Sequence, residues 1–337
     1  METKLINAGP PQFKEPSAQP VKADPSHQGN DFKRMFGHHI RMGMDGILED
    51  FQPRASIPPD PTYPPPLENN AIIFSGTEYA HAALSETVQI TNLQPLLVVL
   101  PIRALMETEQ MNQIRDTYGE RIWLPSVIES SMGFERVIRT RESNEFALEN
   151  RLDPLKTHLV AYDGNLQVAA LFCEDIWKKN RADHTFYVEE GYAQPWMAPY
   201  LEPHGLVMRL VPKKRPIPSE LLQKDAAFWD WYSAHLLEHP RFANEAVARH
   251  AFSKLRVAMA GVFQQRGLLV EAEKAYEQAH ALCPSSMEVV LRRSNFYIAT
   301  ARVDKAVQLV QRQLEENPKH ALLSETLLGL RELKGTK

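Results

Sequence analysis

The sequence predicts an α/β domain with a mostly parallel sheet, followed by an all-α array of repeated helix pairs. Three observations predict this fold class. Short apolar runs alternate with helical stretches between residues 70 and 217, which is typical of strands joined by helices. A pattern of small residues, aromatic residues and a closing proline recurs after 34 residues near the C-terminus. A proline-rich run separates both regions from an N-terminal helix.

The N-terminal part is predicted to contain a disordered arm, a helix and a connector. Residues 1–30 hold five prolines and few large apolar side chains, so burial cannot offset the entropy of ordering them. Apolar residues at helical spacing then run from Phe32 to Leu48. Seven prolines among the nineteen residues 52–70 predict an extended connector, with a proline-rich ligand for an aromatic groove as the alternative. We therefore assign residues 31–69 to this helix and connector.

Residues 70–217 are predicted to form the α/β domain. Branched and aromatic residues bounded by Gly, Pro or Asn mark the strands. The predicted strands are Ala71–Phe74, Pro95–Pro101, Arg121–Leu124, His158–Ala161, Thr185–Val188 and Leu206–Leu210. The predicted helices are Tyr79–Ile90, Glu107–Tyr118 and Leu166–Lys179. Strand–helix alternation favours parallel pairing, which places ligand sites beyond the carboxyl ends of the strands.

Residues 218–337 are predicted to form a helical domain. The first repeat, residues 253–286, fills all seven positions of the tetratricopeptide signature, and the second, residues 287–320, lacks the turn glycine and two bulky residues. The first copy reads Ala260, Phe263, Gly267, Ala272, Tyr276, Ala279 and Pro284, and the second reads Ser294, Tyr297, Ala301, Ala306, Val310, Leu314 and Pro318. Because two repeats cannot bury both end faces, we predict a capping helix at 321–333 and a preceding helix, for which the candidates are 219–238 and a short helix around 244–250.

The repeats predict a noncatalytic protein-interaction or scaffold protein. Arrays of this type present an extended concave face, which takes a peptide or a partner protein. Four polar residues on the first helices of the two repeats are the partner-binding candidates. They are Arg256, Gln264, Arg293 and Asn295.

A second candidate site follows two of the predicted strands. Gly76, Thr77 and Glu78 form a turn into a helix whose free amides could hold an anion, although a tight turn and a helix cap explain the same residues. Glu189 and Glu190 follow a later strand beside several aromatic residues, a combination that suits a sugar ring. Neighbouring side chains on an extended segment point to opposite faces, so this pair is poorly placed for acid–base hydrolysis. A sugar-binding enzyme with Glu78, Glu189 and Glu190 in one cleft is a third hypothesis.

Composition and missing motifs exclude several functions. A net charge of −4 gives no electrostatic footprint for nucleic acid. The sequence holds no GxGxxG, GxxxxGK[ST] or GxSxG motif, so we expect no nucleotide cofactor and no ester-hydrolase chemistry.

Cys173 and Cys283 are predicted to be buried free thiols. Adjacent His38 and His39 point about 100° apart on a helix, so packing histidines are favoured over a metal site.

Five segments in one order carry a family resemblance. They read DFKRMFGHHIRMGMDGILEDFQP, PPPLENNAIIFSGTEYAHAA, MNQIRDTYGERIWLPS, HTFYVEEGYAQPWMAPYLEPHGLVMRL and FSKLRVAMAGVFQQRGLLVEAEKAYEQA. Together they resemble the C-terminal soluble part of large bacterial multi-span membrane proteins, an uncharacterised family related to protein O-mannosyltransferases. The resemblance covers residues 31–317. The sequence departs from it at Glu78, where an aspartate is expected after the glycine–threonine pair.

The resemblance implies a soluble accessory domain whose membrane half is absent from this sequence. That half is similar to lipid-linked-sugar glycosyltransferases and would hold the catalytic carboxylates, so the resemblance implies no catalytic residue here. The alternative function is therefore an accessory soluble subunit beside a membrane-embedded glycosyltransferase. Since no run approaches the roughly 20 apolar residues of a membrane helix and no signal segment is recognised, we predict no membrane insertion and a cytoplasmic location. The resemblance instead implies the periplasmic face of the inner membrane.

Overall fold

The computed structural model describes residues 32–52, 56–76, 78–90, 97–133, 135, 164–189, 194 and 196–335. All of them belong to one compact unit, Phe32–Lys337. The predicted disordered arm and the predicted strand at 158–161 lie outside the described residues. The predicted domain boundaries stay predictions.

Two helices, α1 (Phe32–Met42) and α2 (Met44–Phe51), replace the single N-terminal helix that the apolar spacing predicts. The break falls at Gly43, whose φ is 61°. A Cβ atom there would lie 2.4 Å from the carbonyl oxygen of Pro64, which instead accepts a hydrogen bond from the Met44 amide. Glycine therefore allows the proline-rich connector to approach the helix pair and turn the chain.

The sheet has five strands: β1 (Ala71–Ser75), β2 (Leu97–Pro101), β3 (Thr185–Val188), β4 (Leu201–His204) and β5 (Val207–Leu210). Their order is β2-β1-β3-β5-β4. The β1–β2 and β1–β3 pairs are parallel, whereas the β3–β5 and β4–β5 pairs are antiparallel. The prediction of a mostly parallel sheet is wrong, because the two-residue link from β4 to β5 is long enough only for an antiparallel hairpin.

Two strand assignments differ from the sequence prediction. The strand β4 was not predicted from the sequence, because it contains Pro203. It lies at the edge of the sheet, the position where proline removes no ladder hydrogen bond. The predicted strand at 121–124 is wrong, since this segment is a turn followed by irregular backbone. Asn180 explains the difference: its side chain accepts a hydrogen bond from the Trp123 amide at 2.7 Å and donates one to the Trp123 carbonyl at 2.9 Å. These bonds satisfy the backbone without a neighbouring strand.

Helices cover both faces of the sheet. The three predicted helices of this region are confirmed as α3 (Glu78–Ile90), α4 (Thr108–Tyr118) and α5 (Gly164–Asn180). Alternate strand residues such as Ile72 and Val98 share a buried cluster with α5, while Ile73 and Val99 share another with α1 and α3. This alternation follows from the two-residue period of a strand.

The C-terminal region is entirely helical. It contains α6 (Ser219–Glu238), α7 (Ala246–Gln265), α8 (Leu269–Leu282), α9 (Met287–Ala299), α10 (Val303–Glu316) and α11 (Ala321–Gly335). The predicted preceding helix at 219–238 and the capping helix correspond to α6 and α11. The alternative of a separate short helix around 244–250 is wrong, because residues 246–250 are the start of α7. The α7–α8 and α9–α10 pairs stand where the spacing predicts the two repeats.

Candidate functional site

The first repeat is a pair of antiparallel helices. The Ser253 hydroxyl near the start of the repeat donates to the carbonyl of Ala279, near the end of α8, at 2.8 Å. Nearer the turn between the helices, the Tyr276 hydroxyl, one turn before Ala279, donates to Oε1 of Gln264 at 3.0 Å. Ala260 and Ala272 are fully buried, so these small side chains allow the close approach of the two helices.

Arg256, predicted to bind a partner, lies inside the fold with a side chain that is 1% exposed. Its guanidinium pairs with the Asp225 carboxylate of α6 at 2.6 Å and donates to the Gln278 side chain at 2.8 Å. The guanidinium carbon also lies 5.1 Å from the centre of the Trp229 ring. Because α6 covers this part of α7, Arg256 faces α6 and α8.

The other three partner-binding candidates differ in exposure. Arg293 is largely buried and pairs with Glu277 of α8 at 3.0 Å, while its Nε donates to the Tyr297 hydroxyl at 3.1 Å. Gln264 is half-buried, and Asn295 is exposed on α9. Asn295 and Gln264 are therefore the candidates that the structure leaves accessible.

A polar surface joins the two first helices, α7 and α9. Lys254 of α7 lies 3.8 Å from the Glu288 carboxylate of α9, which accepts a hydrogen bond from Arg292 at 3.0 Å. The Arg292 guanidinium lies close to Gly261 of α7, since a Cβ atom built at Gly261 would be 3.9 Å from Nη1 of Arg292. Asn295 lies on the same side of α9, one turn beyond Arg292. We call this set, Lys254, Gln264, Glu288, Arg292 and Asn295, the first-helix surface.

Three members of the first-helix surface were not predicted from the sequence as partner-binding residues: Lys254, Glu288 and Arg292. A signal was present, because Lys254 and Glu288 occupy the same position in consecutive repeats and carry opposite charges. Equivalent positions on successive first helices are neighbours in a stacked array, so this pair predicts a contact across the seam.

The structure brings together two members of the second candidate site, Gly76 and Glu189. The Gly76 amide, after β1, donates to Oε2 of Glu189, after β3, at 2.9 Å. The parallel pairing of β1 with β3 places both residues at one edge of the sheet, and the Glu189 side chain is buried. A carboxylate of the protein itself thus occupies the place that a ligand anion would take at Gly76. Thr77, Glu190 and the Glu78 side chain lie outside the described residues.

Ser75, at the end of β1 and next to Gly76, faces His81 of α3, a residue that was not predicted from the sequence. Oγ of Ser75 is 3.5 Å from Nδ1 of His81, at the limit of a hydrogen bond. Burial lowers the pKa of the His81 imidazole, so the ring is neutral at pH 7. At this length the contact is a weak one, and the described residues here show no third group that orients the imidazole.

The adjacent histidines contact side chains within the chain. Nδ1 of His38 lies 2.9 Å from the Asp50 carboxylate, which also pairs with Arg34 at 2.5 Å. Nδ1 of His39 lies 2.8 Å from the Tyr232 hydroxyl on α6. Among the described residues, no group of three or more His, Cys, Asp or Glu side chains is placed to hold a metal ion.

Comparison with known proteins supports the repeats. A model of the tetratricopeptide repeat matches residues 264–327, from the end of α7 into α11. A comparison with curated proteins finds no match. Neither result supports the resemblance to the membrane-protein family or a relationship to O-mannosyltransferases. Across the described part of the chain, every helix is too short or too polar to cross a membrane.

Proposed function

We propose that this protein binds a peptide or protein partner through the first-helix surface. The tetratricopeptide match at residues 264–327 carries the proposal, because such repeats usually mediate protein–protein interaction. The first-helix surface includes an exposed residue, Asn295, and polar groups from both repeats. A partner lying across the seam would contact α7 and α9 together.

The charges of the surface indicate the chemistry of the partner. Lys254 and Arg292 flank the single carboxylate of Glu288, so the set carries an excess of one positive charge. The Arg292 side chain is 40% exposed and presents a planar group of donors, which suits a carboxylate. We therefore propose a polar segment that carries an acidic side chain or a free carboxyl terminus. A scaffold role requires a second partner on another face, and its test is a ternary complex.

Site-specific photocrosslinking tests the proposed surface. A photoreactive amino acid replaces Asn295 in one sample of the full chain and Glu315, an exposed residue of α10, in a matched control. Each is irradiated in native cell extract, and the adducts are mapped to peptides by mass spectrometry. We expect one protein to be crosslinked from position 295, through a polar segment, and not from position 315.

The charge reversal Arg292→Glu is the second arm of this experiment. It should abolish the adduct at position 295 while leaving the circular dichroism spectrum unchanged, because the Arg292 side chain is 40% exposed and its partner Glu288 also reaches solvent. Equal labelling from positions 295 and 315, or an adduct at 295 that survives Arg292→Glu, would show that the partner does not use this surface.

A further inference from the structure

The last described helix, α11, stands at the place of the first helix of a third repeat. It begins at Ala321, and the first helix of the second repeat, α9, begins 34 residues earlier at Met287. The same interval relates Ser294 to Leu328 and Tyr297 to Arg331. Residues of α11 can therefore be compared with α9 position by position.

The comparison identifies an open face on α11. Ser294 and Tyr297 of α9 are 1% and 3% exposed, in a helix that packs beside α10. At the equivalent positions of α11, Leu328 is 61% exposed and Arg331 is also exposed. In the described part of the chain, no second helix covers this face as α10 covers α9. Leu328 therefore lacks the helical cover that its counterpart in the preceding repeat has.

Glu325 and Arg331, two of the charged residues on this face, would oppose each other if a second copy of the helix packed antiparallel. Glu325 lies three residues before Leu328 and Arg331 three residues after it, and all three are exposed. Neither Glu325 nor Arg331 has an ion pair with the rest of the described chain. If two such helices pack antiparallel with the two leucines in contact, Glu325 of one copy and Arg331 of the other lie at the same height. Their long side chains can then form two equivalent ion pairs.

We propose that two copies of this chain associate through α11, antiparallel, about a two-fold axis beside Leu328. Each copy then supplies the helix that covers the α11 face of the other, with the antiparallel arrangement already seen between the helices of the first repeat. The helix has 15 residues and a length of about 22 Å, so the interface is small. We expect a dissociation constant on the order of 10 to 100 micromolar. This inference does not depend on partner binding by the first-helix surface.

Sedimentation equilibrium of the full chain over a concentration series measures this association directly. We expect Leu328→Asp to weaken the dimer by about tenfold or more, because it places two carboxylates at the centre of the contact. Val270→Asp, which changes an exposed apolar residue of α8, is the matched control and should leave the dissociation constant unchanged. Circular dichroism and the melting temperature confirm that each variant is folded.

A charge exchange separates this contact from a general effect on folding. Glu325→Arg places an arginine opposite Arg331 of the other copy at both of the equivalent contacts. It should therefore raise the dissociation constant of the dimer by about tenfold. Adding Arg331→Glu in the same chain restores opposite charges and should return the dissociation constant to near the wild-type value. A chain that stays monomeric at about 500 micromolar, or a double variant that remains as weak as the single variant, would overturn the proposal.

Discussion

Gly267 and Ala301 occupy the same turn in the two repeats and adopt the same backbone region. Their φ angles are 74° and 58°, both in the left-handed region. Glycine adopts this region without strain, whereas the Cβ atom of alanine costs about 1 kcal/mol there. The turn of the second repeat therefore keeps the backbone conformation of the first, but with strain at Ala301.

Exchanging these two residues tests the strain. Ala301→Gly should raise the free energy of unfolding by about 0.5 to 1 kcal/mol, because relief of strain exceeds the added entropy of the unfolded chain. Gly267→Ala should lower it by about 1 kcal/mol. Urea denaturation measures both changes. A loss of stability in Ala301→Gly would mean that the left-handed alanine carries no strain.

Arg256 and Asp225 form a buried ion pair whose loss should destabilise the fold. Arg256→Met leaves the carboxylate of Asp225 buried without its cation and should lower the free energy of unfolding by about 3 to 5 kcal/mol. Adding Asp225→Leu removes the unpaired charge and should recover part of that loss. Urea denaturation of the two variants is the measurement. A loss below about 1 kcal/mol in the single variant would show that the pair is dispensable.

At the level of secondary-structure elements, continuous runs of branched residues predict strands correctly. The prediction is wrong where contacts with residues distant in sequence decide whether a segment forms a strand. The runs at β1, β3 and β5 were predicted correctly. The pairing direction of the whole sheet was not predicted correctly, because it depends on the hairpin between β4 and β5. The strand β4 contains Pro203, so its sequence does not indicate a strand. The segment at 121–124 has the composition of a strand but is held by Asn180, a residue more than fifty positions away.

Replacing Asn180 tests how this segment is held. Asn180→Ala removes the partner of the Trp123 amide and carbonyl, so we expect the free energy of unfolding to fall by about 2 to 3 kcal/mol. Hydrogen exchange at the Trp123 amide should become faster. Asn295→Ala, at an exposed asparagine, is the control and should change neither quantity. Unaltered exchange at Trp123 in Asn180→Ala would refute this role.

At the scale of the whole molecule, both faces of the sheet share buried clusters with the helical region. One cluster joins Ile72 and Val98 to Ala260 and Ala279 of the first repeat, and the other joins Ile73 to Phe228 of α6. The candidate site was only partly predictable for the same reason. Repeat spacing predicts Gln264 and Asn295 as partner-binding candidates, and both are accessible, but the burial of Arg256 depends on the approach of α6, which no local pattern encodes.

Shared clusters predict that the sheet and the array unfold together. Hydrogen exchange at increasing urea should give one common free energy for the slowest amides of β1 and of α8, because opening either region exposes the buried face of the other. Unfolding of α8 at a clearly lower urea concentration than β1 would show that the array is an independent unit.

We propose above that a partner binds across the seam between α7 and α9. The most direct test of this proposal is a titration of the segment captured at position 295 against the wild-type chain, Arg292→Glu and the control Glu315→Arg, by isothermal titration calorimetry. We predict that Arg292→Glu raises the dissociation constant at least about tenfold, because it removes a charged hydrogen bond and places a like charge against the acidic partner. The control Glu315→Arg should leave the dissociation constant unchanged. Equal affinity for all three chains would contradict the proposed surface.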